Sequence, residues 1–249
     1  MITIKNDIEL QHMREAGRVV ADTLNKLEEH AKPGISTGEL DKIAEEFIKS
    51  RNAIPSFKGY CGFPASICAS VNNEVVHGIP SKDVILKDGD IISIDCGAIL
   101  NGYQGDAART FPIGNVSDEA RKLIEVTKNS FFKGIEKAKI GNRLTDISSA
   151  IQQYAEENGY SVVRDYVGHG IGKEMHEDPE VPNFGRPGRG PKLEKGMALA
   201  IEPMINIGDY YVKVQPNNWT VVTKDGTLSA HYENTILIVD DGPEITTLI

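Results

Sequence analysis

The chain has 249 residues, 40% hydrophobic and 25% charged, enough for one large domain or two small ones around a sizeable core. Its formal net charge of −9 excludes a broad nucleic-acid-binding face, because phosphate contacts need a net basic surface. No apolar run reaches membrane-spanning length, and the Met1–Asp7 start lacks the basic-then-apolar layout of a secretory leader. The three cysteines, Cys61, Cys68 and Cys96, form neither a CxxC pair nor an even disulfide framework, so a reducing cytoplasm is expected.

In chain order, Val19, Val20, Leu24 and Leu27 recur at helical spacing within a helix predicted over roughly Asp7–His30, which Pro33-Gly34 stops. A second helix follows, opened by a capping box at Ser36 and Glu39. Strands are predicted at Asp90–Cys96 and Ala107–Phe111, joined across Asn101-Gly102, a two-residue hairpin signal. Helices resume at Ser117-Asp118-Glu119, break at Gly141 and continue through Ile147–Glu157. Strands follow at Met197–Glu202, Tyr210–Val214 and Thr235–Val239.

This order reflects an internal repeat. Leu86-Lys87-Asp88-Gly89 with Ile94-Asp95 matches Leu193-Glu194-Lys195-Gly196 with Ile201-Glu202 at an offset of 107 residues (95 to 202). The same offset carries Ala31-Lys32-Pro33-Gly34 to Ala138-Lys139-Ile140-Gly141, and Phe47 to Tyr154. The reading is an α+β chain of two similar halves, roughly 1–112 and 113–249, around a central antiparallel sheet flanked by helices. The whole of 1–249 is taken as a single domain without an N-terminal extension domain.

A pseudo-twofold axis would bring Asp95 and Glu202, each placed at the end of a strand, close together. On alternation each shares its face with a small residue, Ser93 or Ala200, which leaves room beside the carboxylate. The hairpin folds Asp106 back beside Asp95, and Glu233 enters an apolar strand as Asp106 does. One acid in a strand is ordinarily a solvated face or a local ion pair. Four in paired positions repel one another unless a cation intervenes. Two divalent ions about 3.5–4 Å apart would neutralise them and hold a bridging water. His169 stands in Gly168-His169-Gly170-Ile171-Gly172, where the glycines permit a turn that aims the ring at a ligand. His12 and His30 read as packing or surface residues.

Together the stretches Cys68–Pro80, Asp95, Asp106, Gly168–Gly172, His176-Glu177, Ile201-Glu202-Pro203 and Tyr232-Glu233 resemble the type I methionine aminopeptidases of the pita-bread fold, over essentially the whole chain. The resemblance implies five metal ligands, Asp95, Asp106, His169, Glu202 and Glu233. Asp106 and Glu233 would bridge two divalent cations, Mn, Fe or Co, with Zn also admitted. It implies catalytic roles for His77, His176 and Glu202, and a methionine pocket of Tyr60, Phe63, Cys68, Met175 and Trp219 with Phe57 at its edge. The implied reaction is bridging-hydroxide attack that removes the initiator methionine of nascent polypeptides when the second residue is small. The implied setting is a cytoplasmic monomer without membrane contact, with transient ribosome association as a further partner.

Met175 and Phe63 depart from the family's commoner residues, as do His231 and Asn234 flanking Glu233. His231, on the strand face of Glu233, is positioned to orient that carboxylate. Two other readings stay open: a proline-directed aminopeptidase or dipeptidase, whose members usually carry a long N-terminal domain, and a non-catalytic binder, which would be expected to have lost ligands. A type II enzyme is disfavoured because no helical insert interrupts the second half.

Overall fold

The computed structural model of the chain describes residues 1–248. Helix α1 spans Asp7–His30 and α2 Thr37–Ser50. Each starts from a capping box: Asn6 with Glu9, then Ser36 with Glu39, every pair answering backbone N–H groups that the first turn leaves free. Helices α3, Asp118–Ile135, and α4, Leu144–Glu157, form the matching pair of the second half. α4 begins three residues earlier than the sequence pattern suggests, because Asp146 accepts the backbone N–H of Arg143 and organises the first turn there.

The first-half sheet is centred on Ile91–Leu100, paired with Ile54–Pro55, Ile67–Val71 and Tyr103–Pro112. Both hairpin strands run past their predicted bounds, so that Leu100 faces Tyr103 across Asn101 and Gly102. Both turn residues adopt positive φ, 53° and 78°, as a right-twisted two-residue hairpin requires. Asp95 consequently lies in mid-strand, not at a strand end as the sequence reading had it. Ala198–Ile201 stands at the centre of the second-half sheet, and Met204–Asn206 continues its course in a smaller one with Ser161–Val162 and Ser229–His231. The strand expected from Tyr210 begins at Val212.

The 107-residue offset reappears bond by bond. Gly34 N–H donates to Leu86 O at 2.8 Å, and Gly141 N–H to Leu193 O at 2.9 Å. Ile54 pairs with Ile99 as Ser161 pairs with Asn206. The halves meet antiparallel at Ala108 and Glu233: Glu233 N–H donates to Ala108 O at 2.9 Å, and Ala108 N–H to Glu233 O at 3.3 Å. Two threonines clamp this seam. Thr235 Oγ1 accepts from Asp106 N–H at 3.0 Å and donates to Asp106 O at 2.9 Å, while Thr110 Oγ1 does the same for His231 at 2.9 Å each way.

Apolar packing fixes helices to sheet. Val20, Leu24 and Leu27 of α1 pack with Ile92, Ile94 and Ala107, and Phe131 and Ile147 with Leu199 and Ile236 in the second half. α1 approaches the hairpin so closely that a Cβ on Gly105 would stand 2.8 Å from backbone atoms of Ala16 and Gly17. Gly105→Ala should therefore destabilise the fold by about 1–3 kcal/mol, the cost of overpacking against atoms that cannot turn aside. Urea unfolding measures this, and an unchanged midpoint would show that the helix has slack.

Candidate metal centre

Register explains how the acids converge. Asp95 faces Ala108 and Asp106 faces Gly97, so the two carboxylates are diagonal neighbours on one face of the hairpin. Glu202 follows the Ala198–Ile201 strand, beside its partner Asn234–Val239. Glu233 lies between Ser229–His231 and Asn234–Val239, at the seam. The four acids and His169 all line one cavity of about 310 Å³.

His169 occupies a strand, Gly168–Gly170, instead of the turn expected from its glycines. Those glycines serve close packing: a Cβ on Gly168 would lie 2.3 Å from Ala200 O, and one on Gly170 2.1 Å from Asp178 O. His169 Nδ1–H donates to Gly170 O at 2.9 Å, which leaves the Nε2 lone pair facing the acids. Nε2 stands 3.6 Å from Glu202 Oε1 and 3.7 Å from Asp106 Oδ2.

Burial pushes the Asp95 carboxyl up to about 7 and that of Glu202 up to about 8. Asp106 and Glu233 are driven well above the carboxylate range by burial first and neighbouring carboxylates second. His77, His169 and His231 are pushed down to about 4 by burial. One oxygen of each of Asp95, Asp106 and Glu233 is buried without a hydrogen-bond partner, as is His231 Nε2. Unpartnered oxygens on three of the four clustered acids, with neutral imidazoles among them, suit divalent cations. Two triads can each surround one ion, Asp106–His169–Glu233 and Asp95–His231–Glu233, with donor atoms within 4.8 Å of one another.

The rest of the cavity wall is mostly aromatic and apolar: Phe57, Tyr60, Cys61, Phe63, Cys68 and Trp219. Phe63 meets Trp219 edge to face at 5.1 Å. Met175, expected among the pocket residues, does not line the cavity. It is 2% exposed and packs behind Phe57 against Gly97, as a component of the wall. His176 does line it, its ring 4.3 Å from that of His169 and its Nδ1 2.8 Å from Tyr60 Oη. His77 is held at φ 60°, a left-handed conformation seldom adopted by residues with a Cβ. Gly78 beside it has no room for one, since a Cβ would lie 2.3 Å from Ala69 O.

The sequence reading missed the supports. Arg109 lies over the Tyr232 ring at 4.4 Å and donates to Ala108 O at 2.8 Å and Asn234 Oδ1 at 2.6 Å, gripping the backbone around Glu233. Lys5 Nζ, nearly buried, reaches Glu177 Oε2 at 2.7 Å, next to His176. Neither long-range contact has a signal in a single sequence.

Comparison with known proteins fixes the class. The model of metallopeptidase family M24 matches residues 11–240. A relative in Clostridium acetobutylicum, called methionine aminopeptidase, is 72% identical over 248 residues, covering 100% of this chain and 99% of its own. The crystal structure of methionine aminopeptidase from Rickettsia prowazekii superimposes with a TM-score of 0.98 at 46% identity, covering 100% of both chains. Prolidase from Pyrococcus furiosus shares the fold alone, at 23% identity and a TM-score of 0.77 over 99% of this chain and 65% of its own. The chain belongs to metallopeptidase family M24 and has its pita-bread fold. It is a hydrolase of the metallo-aminopeptidase class.

In metal-stripped protein the folded chain holds protons on Asp95 and Glu202 that an unfolded chain releases near pH 4. The stability tied to these groups is complete below about pH 4 and lost as pH rises through about 7 and 8. The depressed histidines act in the opposite sense, but only up to about pH 6.5, where unfolded histidines lose their protons. From about pH 6.5 to 8.5 the melting temperature of stripped protein should therefore fall, and a divalent cation should abolish the slope. A melting temperature that is level or rising across that window would contradict the assignment.

Proposed function

We propose that the chain removes an N-terminal methionine from newly made polypeptides whose second residue is small, at a centre of two divalent cations. The observation that carries this reading is the convergence of four acids, two buried and two half-buried, and a histidine on a cavity whose other wall is mostly apolar. The names of the relatives support it.

Asp95, Asp106, His169, Glu202 and Glu233 would hold the ions. Their chemistry admits Mn, Fe or Co, and Zn as well. When bound, the pair supplies Lewis acidity and a water acidic enough to attack near neutral pH. Glu202 would accept a proton from the attacking water on a carboxylate oxygen and return it to the leaving nitrogen. Tyr60 Oη–H donates to His176 Nδ1, which sets the His176 proton on Nε2, where it donates to the oxygen that becomes negative as the carbonyl turns tetrahedral. His77 contacts the scissile amide. Asp95 marks the end of the cavity that receives the free α-amine, so an internal peptide bond is not a substrate. Phe63, Cys68 and Trp219 receive the unbranched, polarisable methionine side chain.

With added Mn, Fe, Co or Zn, Met-Ala-Ser should be cleaved faster than Leu-Ala-Ser and Ala-Pro-Ser. Equal or faster release from Ala-Pro-Ser would move the assignment to the proline-directed branch, and no hydrolysis with any metal would favour a binding role.

The two histidines should fail differently. His169→Ala should weaken binding of at least one ion and recover partly in excess metal. His176→Ala should keep its metal and lose kcat by about 10²–10³, roughly 3–4 kcal/mol. Calorimetric metal titration beside steady-state kinetics separates them, and the reverse pattern would exchange their roles.

A further inference from the structure

His231 is a neighbour of Glu233 on the sheet, but its environment is unlike that of a structural histidine. It is 1% exposed, and its Nε2 has no hydrogen-bond partner. That atom stands 3.6 Å from Glu202 Oε2 and 3.8 Å from Glu233 Oε2. These distances are too long for hydrogen bonds of useful strength. They match the spacing of His169 Nε2 from Glu202 and Asp106, 3.6 and 3.7 Å. Two donor atoms each about 2.1 Å from one ion stand roughly 3.4–3.6 Å apart at tetrahedral to trigonal angles.

Fold symmetry supplies an independent argument. Asp106 faces Gly97 in the first half, and His231 faces Met204, the residue 107 positions on from Gly97. The second-half mate of Asp106 is thus His231, at an offset of 125, while Glu233 is the mate of Ala108. Identical clamps confirm the correspondence. Thr235 binds both backbone groups of Asp106, and its own mate, Thr110, binds both backbone groups of His231. The backbone therefore turns His231 toward the cluster of acids as it turns Asp106. Each cation-sized triad then has one aspartate, one imidazole and the shared Glu233.

Resting on the two-cation reading above, we infer that His231 is a sixth side chain of the metal centre, its Nε2 ligating the ion held by Asp95 and Glu233. The centre then has an imidazole on each ion, which favours borderline metals such as Fe, Co and Zn at the second position over Mg or Ca.

Wild-type protein labelled with ¹⁵N, stripped of metal and titrated with Zn²⁺ alone, tests this through its imidazole nitrogens. Two histidines, His169 and His231, should show Nε2 shifts that saturate with two equivalents, with His231→Gln assigning the second. A shift of His169 alone overturns the inference and leaves the two-cation reading standing. No imidazole shift at two equivalents overturns both. Calorimetry on His231→Gln should show one of the two ions bound about 100-fold more weakly, a loss at or beyond the ~10–100-fold typical for a group hydrogen-bonded behind a ligand. Retention of both affinities within tenfold would remove His231 from the centre.

Discussion

Mutual repulsion among four carboxylates in one cavity is the constraint around which the chain is organised. Each acid is on a different stretch of backbone, and burial raises the proton affinity of all four. Such a cluster is compatible with folding only if protons or cations occupy it. The surrounding architecture is correspondingly stiff: a hairpin with a two-residue turn, a seam clamped by two threonines, and helices held at backbone contact by glycines. A loose frame would let the acids separate toward water, and the site would lose its preference for ions of a particular size.

Electrostatics also explains the unlike supports of the two sides. Arg109 is half-buried beside Glu233 yet pairs with carbonyl and amide oxygens, so it lends positive potential without competing as a counter-ion. Lys5, by contrast, forms a direct ion pair with Glu177 and steadies the segment that holds His176. One cation tunes the metal side, and the other anchors the wall opposite.

Much of this was legible in the sequence because it depends on local chemistry. Caps at Ser36 and Ser117, the stop at Pro33-Gly34 and the Asn101-Gly102 turn each act within a few residues, and the helices and hairpin follow from them. The repeat was legible where its offset holds at 107. It misled where the offset changes, pairing Asp106 with Glu233 when the register pairs Asp106 with His231. Met175 was not fully legible for a related reason: an apolar residue beside His176 can face the cavity or back its wall, and only packing, here with Phe57 and Gly97, decides. The glycines around His169 signal a turn by composition alone, whereas here they admit neighbouring backbone.

The changes of offset have a consequence of their own. Ser70 and His169 occupy matched positions opposite Ser93 and Ala200, but they are only 99 residues apart, so the first half carries eight more residues ahead of this point. That surplus falls in the stretch holding Phe57, Tyr60 and Phe63. The second half regains eight residues before Ala200, in the stretch holding Met175 and His176, and adds eighteen more before His231, in the excursion holding Trp219. The duplicated frame supplies the acids, and the unmatched insertions supply nearly everything that would touch a side chain of the substrate. Selectivity in this architecture is therefore free to diversify by loop exchange, while the charge-bearing frame beneath it stays the same.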